Sequence, residues 1–200
     1  MDGLSLVEPT VERVASVNPD CRVDPGALRA ASDALENDST IGAVAFRLTR
    51  PGGTTLDSAG VVLRPLLWKA VDRGSESTAF GAFESEDDVD APCLAGALLR
   101  RSALDAARDG AGDVLDARYF AYQEDVDLGW RLRRAGFRVR YVPSASATHE
   151  RGWRKGGRRN VAVALRRASL RNRIWTLLKN APIGAAAIRL PVLLLYEAAL

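Results

Sequence analysis

Two cysteines and one histidine are all that 200 residues hold of the soft metal-binding side chains. Cys21 and Cys93 are too few and too far apart for a disulfide framework or a zinc site, so they read as buried or incidental thiols of a reducing compartment. The opening Met1-Asp2-Gly3-Leu4-Ser5-Leu6-Val7-Glu8-Pro9 has neither a basic n-region nor a sustained apolar h-region, which predicts no secretory signal and a protein that is cytosolic or faces the cytosol. The last segment, Ile183 to Leu200, is mostly apolar but carries Arg189, Pro191 and Glu197. A central Arg costs about 2.5–3.5 kcal/mol on insertion scales, so the segment is expected at a membrane interface rather than across it. Internal repeats and low-complexity tracts are missing as well. The basic C-terminus brings no motif that reads nucleic acid, so no nucleic-acid partner is expected.

What is present is ordinary in bulk and uneven in distribution. A content of 47% hydrophobic and 26% charged residues suits a globular chain long enough for one sizeable core. Residues 1–90 carry 8 Lys/Arg against 16 Asp/Glu, whereas residues 151–200 carry 11 against 1. This divides the chain into an α/β domain over 1–150 and a basic helical, membrane-proximal extension over 151–200. In the extension, Val161, Leu165, Ala168, Trp175 and Leu178 form one stripe of a helix that either faces anionic lipid head groups or packs on the domain as an ordinary basic face.

Local signals alternate between strand and helix. Asp24-Pro25 starts a helix whose inward face is Leu28, Ala31 and Leu35, and Ile41 to Leu48 reads as a strand closed by Pro51-Gly52-Gly53. Residues 65–92 read as loop, with Glu84 to Asp90 as a solvated acidic tip. Cys93 to Arg100 is strand-like, and Ser102 can cap a helix from Ala103 to Arg108. Such alternation argues for an α/β layer architecture.

The densest chemistry lies in Glu124-Asp125-Val126-Asp127-Leu128-Gly129-Trp130-Arg131-Leu132. Tyr119 to Tyr122 looks extended, and the acids then fall in the first turn of a helix, where the dipole and free amides should hold them ionised. Gly136 suits the left-handed stop, and Phe137, Val139 and Tyr141 alternate until Pro143 ends the strand, with His149 beyond it. Capping alone needs one or two acids, and here there are three. Glu124 and Asp127 share a face while Asp125 points about 100° away, so one carboxylate can face a cleft while the others hold its surroundings.

Taken together, these residues resemble the acceptor half of family 2 glycosyltransferases of the rhamnosyltransferase-like branch. The pattern runs from Phe120 and Glu124-Asp125-Val126-Asp127 through Arg131-Leu132, Gly136-Phe137 and Tyr141-Val142-Pro143 to His149. Asn18-Pro19-Asp20, Ala59-Gly60-Val61-Val62, Gly96-Ala97-Leu98-Leu99, Arg171-Asn172-Arg173 and Lys179-Asn180-Ala181-Pro182 agree with it in order. The implied fold is a GT-A-like, Rossmann-related mixed sheet flanked by helices. The family's nucleotide-binding half precedes the Asn-Pro-Asp triplet, and with seventeen residues before Asn18 the chain is expected to lack most of it.

The resemblance implies inverting, metal-dependent transfer of one sugar per encounter from a nucleotide sugar, UDP- or dTDP-linked, to a glycan or lipid-linked acceptor in cell-surface polysaccharide synthesis. The processive Gln-x-x-Arg-Trp motif is missing. Asp125 would be the catalytic base beside Glu124, with Asp127, Gly96, Trp130 and Arg131 at the acceptor. The helix end should depress Asp125's basicity, leaving position to do the work. Asn18 and Asp20 would meet the donor, and Asp20 with His149 would hold Mg²⁺ or Mn²⁺. Other readings stay open: Asp20 as a turn residue, His149 as a surface histidine and Trp130 as core. Glu150-Arg151-Gly152-Trp153-Arg154 is bulkier and more basic than the family's lid over the diphosphate. The expected location is the cytosolic face of the membrane, and the alternative is a silent fragment that binds acceptor or membrane but no nucleotide.

Overall fold

The central strand explains the rest of the architecture. Ile41-Gly42-Ala43-Val44-Ala45-Phe46 is buried throughout, and this small, β-branched and aromatic run forms β3 (Ile41–Thr49) with both faces covered. In the computed structural model, which describes residues 8, 10–64, 69–151 and 163–198, β3 lies between β8 (Gly96–Arg100), antiparallel to it, and β9 (Arg138–His149), parallel to it. The sheet order is β1-β8-β3-β9-β2, where β1 is Arg13–Val17 and β2 is Cys21–Val23. Two further strands, β4 (Leu56–Ser58) and β7 (Asp87–Val89), join β3 and β9, and β5 (Val61–Arg64) pairs with β6 (Lys69–Asp72) as a separate ribbon.

Alternation along β3 divides the core. Val44, Phe46 and Leu48 pack with Ala31 and Leu35 of α1 (Ala27–Asn37), while Ala43 and Ala45 pack with Ala103 and Leu104 of α2 (Arg101–Ala106) and with Leu128 and Leu132 of α3 (Glu124–Arg134). Full burial of each large side chain is worth about 1.5–3 kcal/mol. The result is the α/β mixed sheet flanked by helices that a GT-A-like resemblance implies. Beyond it, α4 (Val163–Asn180) packs on α3, and α5 (Ile183–Ala198) packs on α4.

Several local expectations are corrected. Leu28 is 47% exposed and Ala27 takes its place inward, because Gly26, not Asp24, is the residue before the first helical turn. Helix α2 begins at Arg101 without a Ser102 cap. Tyr119 to Tyr122 is not extended: a 3₁₀ turn over Ala117–Tyr119 leads into bends with positive φ at Phe120, Tyr122 and Gln123. Pro143 does not end β9, because the β3/β9 register jumps from Phe46–Val142 to Arg47–Ser146, and this irregularity removes the need for a Pro143 amide in the ladder. Gly136 does take the left-handed stop, at φ 88°.

The acidic stretch over 84–90 is exposed through Asp88, as expected of a solvated run, but it is not all loop. Asp87 to Val89 forms β7 along β9, where Asp88 meets Arg138 and Arg140 at 2.9 and 3.3 Å and Asp87 meets Arg73 at 2.9 Å. Along α4, Trp175 and Leu178 face outward while Asn172, Arg173, Thr176, Leu177 and Asn180 are buried, so the helix docks by polar groups instead of the apolar stripe. Val161 of that stripe lies outside the described residues, as does the lid segment from Gly152 to Arg154.

Candidate active site

Helix α3 begins without a side-chain cap, its preceding residue Gln123 being left-handed at φ 74°. Glu124 and Asp125 are both half-buried there. Asp125 Oδ1 accepts from the Val126 amide at 2.8 Å, while Glu124 Oε2 is buried with no hydrogen-bond partner. Burial, then the neighbouring Glu124 charge, pushes the Asp125 carboxyl up to about 8. Burial raises Glu124 as well. The expectation that the helix dipole keeps this pair ionised is therefore corrected: desolvation and mutual repulsion outweigh the half-charge of a helix end.

Asp127, one turn on, is wholly buried but fully partnered. Its Oδ2 accepts from Arg131 Nε at 2.9 Å and from Lys179 Nζ at 2.9 Å, and its Oδ1 accepts from Asn180 Nδ2 at 2.7 Å. Arg131, also buried, gives its remaining donors to the carbonyls of Ala107 and, at 2.6 Å, Val114. Lys179 also reaches Asp116 at 2.9 Å. The Arg118 guanidinium first, with Lys179 adding to it, holds the Asp116 carboxyl well below the usual range. Asp127 and Arg131 are thus turned into the fold, where they join α3 to α4. Gly96 is likewise buried in the sheet, where an added Cβ would stand 2.8 Å from Leu48 Cδ2. Trp130 is half-buried, with the Arg133 guanidinium 5.1 Å from its ring centre.

A second cluster forms where β2 meets β9. Cys21 pairs in register with His149, which brings the Asn18-Pro19-Asp20 turn beside the imidazole. His149 Nε2 stands 3.3 Å from Asp20 Oδ1, and Nδ1 lies 2.7 Å from Asp57 Oδ2. Asp57 is fully buried, and Arg50 and Arg151 also pair with it, the latter at 3.1 Å. Arg151 continues to Asp72 at 2.9 Å. Asp72 in turn raises Asp125, and both carboxylates, with burial ahead of them, raise the Cys93 thiol. Arg151 thus bridges Asp72 to the Asp57–His149–Asp20 group. Burial, with Asp20, Asp57 and Asp24 adding to it, pushes Cys21 up to about 11, which leaves it a weak nucleophile.

Two donors aimed at one space, with Nδ1 committed to a carboxylate, suit a divalent cation. With Nδ1 held by Asp57, Nε2 and the Asp20 carboxylate are the two groups left that could meet a cation. Among the described residues no set of three His, Cys, Asp or Glu side chains is gathered for a metal. Asp57, Asp72 and Arg50 escaped sequence reasoning, and Arg151 was read only as part of a basic lid segment. The available signal was Asp57 itself, an acid just ahead of the Ala59-Gly60-Val61-Val62 segment.

No protein-family model matches the chain. It is similar to the N-acetylglucosaminyl-diphospho-decaprenol L-rhamnosyltransferases of two strains of Mycobacterium tuberculosis, at 32% identity over 163 aligned residues that cover 74% of this chain. It spans about half the length of those relatives, 50% in each case. The chain is a relative of rhamnosyltransferases, the branch its motifs resemble.

Proposed function

We propose that this relative of rhamnosyltransferases takes part in transferring a sugar, in one inverting displacement, from a nucleotide-activated donor to a lipid-linked acceptor in cell-wall polysaccharide synthesis. The observation that carries this reading is the half-buried Glu124–Asp125 pair, with a Glu124 oxygen left unpartnered and Asp125 raised to about 8. A base works best when its pKa lies near the operating pH, and burial brings Asp125 there. Asp125 takes the proton of the acceptor hydroxyl as that oxygen forms a bond to the anomeric carbon. The bond from that carbon to the diphosphate oxygen breaks on the opposite face, and its electron pair leaves with the nucleoside diphosphate.

Asp20 and His149 would hold Mg²⁺ or Mn²⁺, which supplies charge for the departing diphosphate. Asn18 and Asp20, in the turn between β1 and β2, contact the donor. Glu124 shapes the acceptor side, and Asp127 with Arg131 fixes α3 beneath it. Trp130 and Gly96 contribute packing there.

The extension supports work at the cytosolic membrane face. Ile183, Ile188 and Leu195 of α5 are 90, 72 and 73% exposed, beside the strongly basic residues 151–179. Among the described residues no helix is long and apolar enough to cross a membrane. Each basic residue near an anionic surface adds about 1 kcal/mol, screened by salt. Co-sedimentation with anionic vesicles should fall in high salt and in Ile183→Asp/Ile188→Asp.

The deciding experiment is Asp125→Asn. Transfer should drop by about 10²–10⁴-fold with donor affinity unchanged, and turnover within about tenfold of wild type removes Asp125 from the role. The alternative is an acceptor- or membrane-binding unit without donor binding, a reading that the half-length match to the relatives keeps open. Titration of the chain with UDP- and dTDP-sugars, with and without Mn²⁺, separates the two.

A further inference from the structure

We propose that Asn172 of α4 is a positioning residue that clamps the loop aiming Glu124 and Asp125; the catalytic meaning of this clamp rests on the reading of Asp125 as base. The loop before α3 is an unfavourable path for the backbone. Phe120, Tyr122 and Gln123 have φ of 59, 68 and 74°, three non-glycine residues in four, and such positions persist only where their surroundings hold them. At Phe120 the backbone is a tight γ-turn, φ 59° and ψ −54°, with the Ala121 amide 2.6 Å from the Tyr119 carbonyl. The Phe120 ring gives no packing in return, being 86% exposed.

What holds the loop is one carboxamide. Asn172 is 1% exposed, and its Nδ2 donates to the carbonyls of Tyr119, Ala121 and Tyr122 at 2.7, 2.8 and 3.0 Å. Arg171 fixes which way the amide faces, donating to Asn172 Oδ1 from Nε and a terminal nitrogen at 3.0 and 2.9 Å. Arg171 also reaches the Arg118 carbonyl at 3.0 Å, and Thr176 bonds the Tyr119 hydroxyl at 2.9 Å. The two N–H protons of a single side chain from the extension are thus shared among three carbonyls of the segment that leads to Glu124. Without it the loop can relax toward negative φ, which would move Asp125 out of its recess and into water.

The test uses the whole chain and reads the loop directly. In Asn172→Ala, and in Asn172→Asp, which keeps the shape but loses the donor, the Asp125 carboxyl followed by carbon-13 NMR should titrate at least about one pH unit lower than in wild type. Amide exchange over 119–125 should quicken by about tenfold or more. Where wild type transfers sugar, kcat should fall with donor affinity unchanged. Ala186→Gly, which weakens the buried contact between α5 and Leu177 of α4, should lower thermal stability and move neither Asp125 nor the loop amides. An unmoved Asp125 midpoint in the Asn172 variants, or an equal shift in Ala186→Gly, overturns the clamp. Should both variants fail to fold, wild type decides: the Asn172 carboxamide protons must exchange slowly, and exchange at the solvent rate overturns the proposal. Failure of wild type to transfer sugar would sink the glycosyl reading while leaving the loop measurements to judge the clamp.

Discussion

Glu124–Asp125 and Asp127 lie within four residues of one helix start and share the same dipole, yet they have opposite surroundings. Asp127 meets Arg131, Lys179 and Asn180, so its buried charge is fully compensated. Asp125 has one backbone amide and a like-charged neighbour, and Glu124 leaves a buried oxygen unpartnered. Burial alone does not decide what an acid does; the supply of partners does. Partnered, it joins two helices; unpartnered, it holds a proton near neutral pH and can exchange it.

The largest expected effect breaks the partnered side. Asp127→Ala strands Arg131 and Lys179 against each other, and removing one member of a buried ion network costs about 3–5 kcal/mol. Asp125→Asn should leave stability unchanged or raise it, because it removes a charge that the fold disfavours. Urea unfolding of both variants checks the contrast, and similar losses from the two would erase it.

Next in size is the pH dependence, where the two regions run in opposite directions. An unfolded aspartate titrates near 3.9. Between about pH 4 and 8 the native Asp125 keeps a proton that the unfolded chain releases, so its contribution makes stability fall as pH rises through that window. The depressed Asp116 does the reverse: its stabilisation is present above about pH 4 and is lost as pH falls toward its folded value. Denaturation between pH 5 and 8 should show a downward slope that Asp125→Asn flattens. An unchanged slope in that variant would locate the titration elsewhere.

The helix α3, its glycine stop at Gly136 and the buried strand β3 were legible because each depends on neighbours in sequence. The ionisation state of the acids was not. A helix-end argument counts only the local dipole, whereas the partners of Asp127 come from α4, 52 and 53 residues further on, and the partner of His149 Nδ1 is Asp57, 92 residues back. The segments Arg171-Asn172-Arg173 and Lys179-Asn180 stood out by resemblance, but their tasks emerge only once α4 is laid on α3.

The smallest effect sharpens the unpartnered side by separating its two causes. Burial is the larger contribution to raising Asp125 and the Glu124 charge the second. Glu124→Gln removes the charge and keeps the volume, so it should lower the Asp125 midpoint from about 8 only part of the way toward the ordinary carboxylate value. The amide also gains a donor that can bond Asp125 once it ionises, which acts in the same direction. If transfer depends on Asp125 as base, the acid limb of the rate profile should move to lower pH by the same amount that carbon-13 titration records. A midpoint that collapses fully to the ordinary value would make repulsion the leading cause and the recess secondary. A midpoint that does not move would mean the two carboxylates do not sense each other, and the pair would then act as two separate acids.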